Sequence, residues 1–470
     1  MRKAFIYTAI GKYSNYFIQL VVQMVLSRLL TPKEFGVVAI MQVFIIFFAL
    51  MIEAGMGPAI IQNKTLTYQD NNILFNFSAL FAIIVSIIFG FFGFFLSSFY
   101  SNSIFIQLAW LQSLSVMFDG LNIVPTALLY KSQKFKIVNF NVVTANFISG
   151  TVGVILAFLG FGVYSLIWYA IFTSLIKFTL NMFFTTVSFT RKWNLVALKK
   201  IWAFSKNQFF FNFINYFSRN SDNILIGKFL GETAIANYSK SYQLLTMPSS
   251  LLLGIIYPVL QPILSEYQDD VKYIREISYK LVHFLVLISL PLSILLSFTA
   301  QPIIFILFGN QWGDAVLPFK SLSLTIWSQI AVASFGGIIA ARNKSEILVI
   351  NGLLNASITV SSIILGISFG SINAVSICLT IAFIINFFIS SYTIIKYVLD
   401  DHMKNYYKLF YSPILLSIII FIFLWLVNTF NYSNIWISFA INLIVFIIIF
   451  IAYVVITKEI DDILKISRKE

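Results

Sequence analysis

Long apolar runs, broken by short polar joints, dominate the chain. A helix that crosses a bilayer core needs about 20 mainly apolar residues. Fourteen runs approach or exceed that length: Tyr13–Leu30, Phe35–Ile61, Ile73–Phe99, Ile104–Leu129, Val138–Leu159, Val163–Val187, Gln208–Leu230, Ile235–Leu264, Leu281–Phe308, Leu317–Ala341, Ile347–Phe369, Ala374–Leu399, Phe410–Thr429 and Ile435–Thr457. Most joints are as short as Thr31-Pro32-Lys33-Glu34 or Gly160-Phe161-Gly162. Long spans on short joints predict an antiparallel all-α bundle. Transmembrane β-strands would instead show segments of about 10 residues with alternating polarity.

Composition sharpens this picture. Hydrophobic residues make up 59% of the 470, charged residues 10%, and Phe alone accounts for 51. A soluble fold of this size has too much surface to cover for that ratio, and disorder is excluded by the same figures. One Cys and two His argue against a disulfide framework and a metal site. Neither a metal nor any other cofactor is expected.

Charge placement predicts orientation. With both termini in the cytoplasm, the cytoplasmic segments carry 24 Lys and Arg, the outer joints four (Arg28, Lys33, Lys228, Lys320), and the spans three (Lys177, Arg219, Lys240). The net charge of +13 is therefore a matter of topology and does not point to nucleic acid. No cleavable signal peptide is expected, because the first apolar run is long and lacks a small-residue cleavage site.

The polar positions of the first and seventh spans repeat. Lys12, Asn15, Gln19 and Gln23 recur 200 residues later as Asn212, Asn215, Arg219 and Asn223. Steps of three and four keep each set on one helix face. Six spans separate the copies, so the two halves are expected to face the same way, related by an axis along the membrane normal. This predicts an N-terminal six-helix lobe over 1–187, a cytoplasmic linker over 188–207, a second six-helix lobe over 208–399, and two further helices with a tail over 400–470. Polar stripes are unfavourable against lipid. They serve either as hydrogen-bonding glue between helices or as the walls of a shared cleft, and their symmetry favours the cleft.

Seven ionisable residues lie in or at the ends of spans, where an isolated charge costs several kcal/mol. Arg219 and Asp222 are three apart and can meet on one helix face. They form either a self-neutralising pair or a cationic anchor tuned by a carboxylate. Lys177 lies deep in the sixth span and Lys240 early in the eighth, where snorkelling competes with a cavity role. Arg28 ends the first span as an interfacial anchor. Glu53 precedes Ala54-Gly55-Met56-Gly57-Pro58, and Asp119 precedes Gly120 and Pro125; both segments predict helix breaks.

No phosphate-binding lysine loop is present. The longest soluble stretch, Ser188–Asn207, is too short to fold around a catalytic constellation. The chain is therefore not expected to be an enzyme, although a membrane polymerase or transferase is the alternative of a different class.

Three segments carry a family resemblance. Leu30-Thr31-Pro32-Lys33-Glu34-Phe35-Gly36 is similar to the first interhelical joint of bacterial polysaccharide-export flippases. Glu53-Ala54-Gly55-Met56-Gly57-Pro58 resembles their acidic glycine segment, with Glu where Asp is common. Asp222-Asn223-Ile224-Leu225-Ile226-Gly227-Lys228, followed by Asn237-Tyr238, Tyr257-Pro258 and Pro262, resembles their seventh and eighth helices, with Asn237 where Gly is usual. These flippases form the oligosaccharidyl-lipid branch of the multidrug/oligosaccharidyl-lipid/polysaccharide exporter superfamily, and the teichuronic- and colanic-acid exporter type looks most similar. The resemblance implies alternating access and a cargo of undecaprenyl-pyrophosphate-linked oligosaccharide in the bacterial cytoplasmic membrane. It also implies coupling to a proton or sodium gradient, with membrane lipids, a polymerase and glycosyltransferases of one pathway as partners. Arg219, Lys177, Lys240 and Arg28 would face the pyrophosphate. Asn15, Gln19, Gln23, Asn215 and Asn223 would face the sugars, and Asp222, Glu53 and Asp119 would serve coupling. A multidrug cation exporter is the runner-up. Four basic against three acidic residues tilt the balance toward an anionic cargo.

Overall fold

The computed structural model describes residues 2–267, 270–430, 432 and 434–459. The side chains of 2–9, 203, 204, 206–208, 210–215, 217–219, 253–266 and 345 lie outside the description. The described residues contain helices and no strand. Two compact units divide the chain at Ala236/Asn237. The first holds α1 (Arg2–Leu29), α2 (Pro32–Glu53), α3 (Met56–Gln62), α4 (Tyr68–Tyr100), α5 (Ile104–Leu121), α6 (Ile123–Lys131), α7 (Phe135–Phe158), α8 (Val163–Phe183), α9 (Val196–Leu230) and the first turn of α10 (Glu232–Glu266). The second holds the rest of α10, then α11 (Val271–Phe298), α12 (Ala300–Leu307), α13 (Val316–Ser323), α14 (Ile326–Ala341), α15 (Ser345–Ser368), α16 (Ile372–Tyr397), α17 (Met403–Lys408), α18 (Tyr411–Asn428) and α19 (Ile435–Thr457).

Ten helical segments, or eleven counting one bent pair, are long and apolar enough to cross a membrane among the described residues. Exposed Phe, Ile and Leu side chains cover the outer faces of α4, α18 and α19. A water-soluble surface does not carry apolar area of that extent. The protein is a multi-pass membrane protein.

Local chemistry sets the joints. Thr31 caps α2, its hydroxyl taking the Glu34 N–H while Glu34 takes the Thr31 N–H at 2.7 Å, and Pro32 opens the helix where no N–H is needed. Thr67 and Asp70 form the same box on α4. The break expected after Glu53 is present: Ala54 and Gly55 both adopt positive φ between α2 and α3. Another break follows Asp119, at Asn122, where Pro125 cannot donate to the preceding turn. The expected span Leu317–Ala341 is bent by 56° between its two helices. Leu281–Phe308 is likewise interrupted at Thr299.

The segment 188–207, expected as a cytoplasmic linker, packs on the first unit. Asn72 accepts from the Ser188 N–H at 3.1 Å, Asn76 and the Thr190 backbone exchange two bonds, and Lys200 pairs with Asp70 at 2.7 Å. α9 joins the same unit through Tyr216, which donates to the Val43 carbonyl, and Tyr100, which donates to the Ile224 carbonyl at 3.5 Å.

In the second unit Arg275 binds the chain end beyond α16. It donates to the Leu399 carbonyl at 2.7 Å and the Asp400 carbonyl at 2.7 Å, and lies 3.9 Å from Asp401. Burial alone raises the Asp401 carboxyl. The His402 N–H, the Tyr279 hydroxyl, the Asn405 amide and the Arg275 charge outweigh it and hold the group below its usual range. A depressed carboxylate stabilises the fold above its unfolded value of about 3.9 and loses that contribution as pH falls through the folded value. Asp401→Asn is therefore expected to lower the melting temperature at pH 7. That deficit should shrink in thermal melts carried below about pH 4.

Candidate substrate site

Two charges meet inside the first unit. Lys177 on α8 reaches across to Asp119 on α5, with Nζ 3.9 Å from Oδ1. Their side chains remain 26% and 35% exposed, so neither charge is sealed. One helical turn away on each helix, the Ser115 and Ser174 hydroxyls share a hydrogen bond at 3.2 Å. The sequence marked both charged residues, but for different tasks. Their pairing means that any anion reaching Lys177 competes with a carboxylate.

Beside this pair lies a buried amide network. Asn181 accepts from Asn141 at 2.8 Å and donates to Asn122 at 2.9 Å and Thr126 at 3.0 Å. Asn122 is the residue at the α5–α6 break, so the network closes the gap that Pro125 opens. Asn181→Leu removes three bonds. At roughly 0.6–1.7 kcal/mol each in a membrane interior, the expected loss is about 2–5 kcal/mol, read as a lower melting temperature in detergent. An unchanged melting temperature would remove the network from the account.

The polar stripe of α1 divides. Asn15 accepts from Asn146 of α7 at 2.8 Å, and Asn146 accepts from the Tyr169 hydroxyl of α8 at 3.1 Å. Asn15 is thus a helix–helix tie. Gln19 and Gln23 are half-buried further along α1, and Arg28 is exposed in its last turn. Glu53 is half-buried at the end of α2, its Oε1 over Gly57. Asp222 on α9 is 6% exposed and accepts the Asn223 N–H at 2.8 Å, while Asn223 is half-buried. The side chains of Asn215 and Arg219 lie outside the described residues, as do those of Tyr257, Pro258 and Pro262.

Lys240 belongs to the second unit. It is 4% exposed, with Nζ 4.6 Å from the Phe308 ring centre and 5.3 Å from that of Trp312. Aromatic faces stabilise a desolvated cation, so Lys240 is held by its own unit and does not snorkel.

Sequence reading missed the internal repeat of α6–α8 and α14–α16, which runs at an offset of 210. Gln133 and Asn343 both adopt positive φ at the joint, Lys134 and Lys344 both start the next helix, and Gly160 and Gly370 both turn the chain afterwards. Lys134 donates to the Phe184 carbonyl at 3.4 Å, and Lys344 donates to the Tyr397 carbonyl. The signal was available in Lys131-Ser132-Gln133-Lys134 against Ala341-Arg342-Asn343-Lys344, where only the closing Lys is shared.

Comparison with known proteins adds the family. A family described as "Polysaccharide biosynthesis protein" matches residues 25–317. An "Uncharacterized membrane protein in cps region" of Klebsiella pneumoniae is 26% identical over 418 residues, 84% of this chain and 82% of that one. "Teichuronic acid biosynthesis protein TuaB" of Bacillus subtilis (strain 168) is 23% identical, covering 87% of this chain and 85% of that one. Among solved structures, "Lipid II flippase MurJ, inward closed conformation" superposes with a TM-score of 0.73 at 16% identity, covering 97% of this chain and 99% of that one. At that identity the likeness speaks for the fold.

Proposed function

The chain belongs to the polysaccharide biosynthesis protein family, and from that premise we propose that it translocates lipid-linked oligosaccharides across the bacterial cytoplasmic membrane. The observation that carries this reading is the Lys177–Asp119 pair: an intramembrane cation held, but left partly exposed, beside hydrogen-bonding side chains. A pyrophosphate-linked lipid needs a cation at membrane depth for its phosphates and amide or hydroxyl groups for its sugars, while its polyprenyl tail stays in lipid.

In this reading two lobes of six helices alternate in access, as the repeats at offsets of 200 and 210 support, and α18 and α19 are additions. Lys177 and Arg219 stabilise the pyrophosphate, with Arg28 at the outer rim. Gln19, Gln23, Asn215 and Asn223 serve the sugars. Asp119 exchanges Lys177 with the arriving phosphate, and Asp222 or Glu53 carries the proton or sodium that drives the cycle. Both termini lie in the cytoplasm, where the Lys and Arg excess collects. A polymerase and glycosyltransferases of the same pathway supply and consume the cargo. The chain moves its substrate without changing a covalent bond.

Arg219→Ala tests the anchor. Complementation of an export-deficient strain is expected to fail by at least tenfold, with the variant present at normal level. Wild-type export by that variant would remove Arg219 from the site.

A further inference from the structure

The end of the first unit that carries Lys131 and Lys134 contains a cleft of about 320 Å³. Its polar lining includes Tyr68, Asn71, Lys131, Ser132, Lys134 and Thr185, and no carboxylate is among the described residues that line it. Lys131 donates once, to the Asn63 carbonyl at 2.6 Å, and Lys134 once, to the Phe184 carbonyl at 3.4 Å. An ammonium has three donors, so four N–H donors on the two lysines are not used in these bonds. The Tyr68 hydroxyl donates to the Thr186 carbonyl at 2.7 Å and still has room to accept. Asn71 Oδ1 is buried without a hydrogen-bond partner. A buried acceptor left unmatched is costly, and a ligand hydroxyl would satisfy it.

The second unit provides the comparison. At the repeat-related joint, Arg342 donates to the Val398 carbonyl at 3.3 Å and Lys344 to that of Tyr397. Arg275 takes the Leu399 and Asp400 carbonyls, with Asp401 alongside. Tyr406 of α17, 1% exposed, packs in one cluster with Ala341, Val398 and Leu399. There the chain's own carbonyls, a carboxylate and an added helix neutralise and cover the cations. In the first unit the equivalent stretch, Phe184–Val187, lines a cleft instead.

We propose that this cleft binds a phosphate group bearing a hydroxyl neighbour, at the basic end of the first unit and separate from the Lys177–Asp119 pair. Two sources share that chemistry: the headgroup of an anionic phospholipid with a glycerol hydroxyl, and a free phosphate compound. Two lysines, unopposed by an acid, hold the phosphate oxygens, and Asn71 accepts from the hydroxyl. The inference rests on the transport reading only for the side of the membrane it faces.

The test uses the full chain in nanodiscs of phosphatidylcholine, with binding followed by native mass spectrometry. Short-chain phosphatidylglycerol is titrated in, with and without inorganic pyrophosphate. Wild-type protein should bind one molecule saturably, and Lys131→Gln/Lys134→Gln should weaken it at least tenfold. Ser132→Glu sets a negative charge at the rim without deleting a side-chain bond. It should weaken binding similarly at an unchanged melting temperature, so a misfolded lysine variant does not decide the matter. Displacement by pyrophosphate identifies a free phosphate compound as the ligand; its failure identifies the lipid headgroup. Equal binding by wild type and Ser132→Glu, or no saturable binding of either probe, overturns the proposal. Export is not read in this experiment, so either reading can fail while the other stands.

Discussion

Lys177→Gln is expected to abolish transport, and Lys177→Gln/Asp119→Asn to restore the protein without restoring transport. Deleting one member of a buried pair costs about 3–5 kcal/mol, because the other charge is left uncompensated. Partial exposure of both side chains lowers that figure here. The single variant therefore loses stability as well as function, and its failure alone would not separate the two. The double variant replaces the pair by two neutral amides of similar volume that can hydrogen-bond. Its melting temperature and membrane level should return to near wild type. If Lys177 supplies the cation that pyrophosphate needs, export by the double variant stays at least tenfold below wild type. Wild-type export would reduce the pair to a strut between α5 and α8.

Gly36→Ala should be severely destabilising, against the sign of helix propensity. Ala is favoured over Gly inside a helix by about 1 kcal/mol. A Cβ on Gly36, however, would fall inside the Glu232 carbonyl group at the start of α10. Glu232 cannot readily retreat, because Asn102 donates to its Oε1 at 2.5 Å and the chain has just turned through Gly231, at positive φ. Overpacking against fixed backbone costs about 1–3 kcal/mol or more, which exceeds the propensity gain. Gly352 in α15 is the control, since a Cβ there meets nothing within 4 Å. Thermal melts should show Gly36→Ala well below wild type and Gly352→Ala at or above it. Equal melting temperatures for wild type and Gly36→Ala would mean that this close approach is not maintained in the membrane.

What could be read from the sequence follows from the range of each interaction. Caps and breaks are local: Thr31 with Glu34, Ala54-Gly55, and Pro125 three residues past Asn122 are all visible as strings of residues. The bend between α13 and α14 has no Gly or Pro at its centre. Thr325 turns there through its own hydroxyl, which donates to the Leu322 carbonyl at 2.7 Å, and nothing in the string announces it. Lys177 and Asp119 each stand out in the sequence as charges inside spans, but 58 residues separate them, and only the packing of α8 on α5 makes them a pair. The stripe on α1 likewise reads as either glue or cavity wall, with symmetry favouring the wall, yet Asn15 is used by Asn146. Polarity inside a span says that a partner is needed, not whether that partner is protein or cargo. The offset of 200 becoming 210 reflects joints and helices of unequal length between the copies, which a fixed spacing cannot follow.

The most direct measurement places the purified chain in sealed vesicles with a fluorescent oligosaccharide linked to a polyprenyl pyrophosphate. A quencher that cannot cross the bilayer then reads which leaflet holds the label. The account predicts that wild-type protein moves label between leaflets, faster under an ion gradient. It predicts that Lys177→Gln/Asp119→Asn does so at least tenfold more slowly, and that the glycan leaves with its length unchanged. Label that stays in its original leaflet with folded wild-type protein, or glycans that grow longer in place, would contradict it.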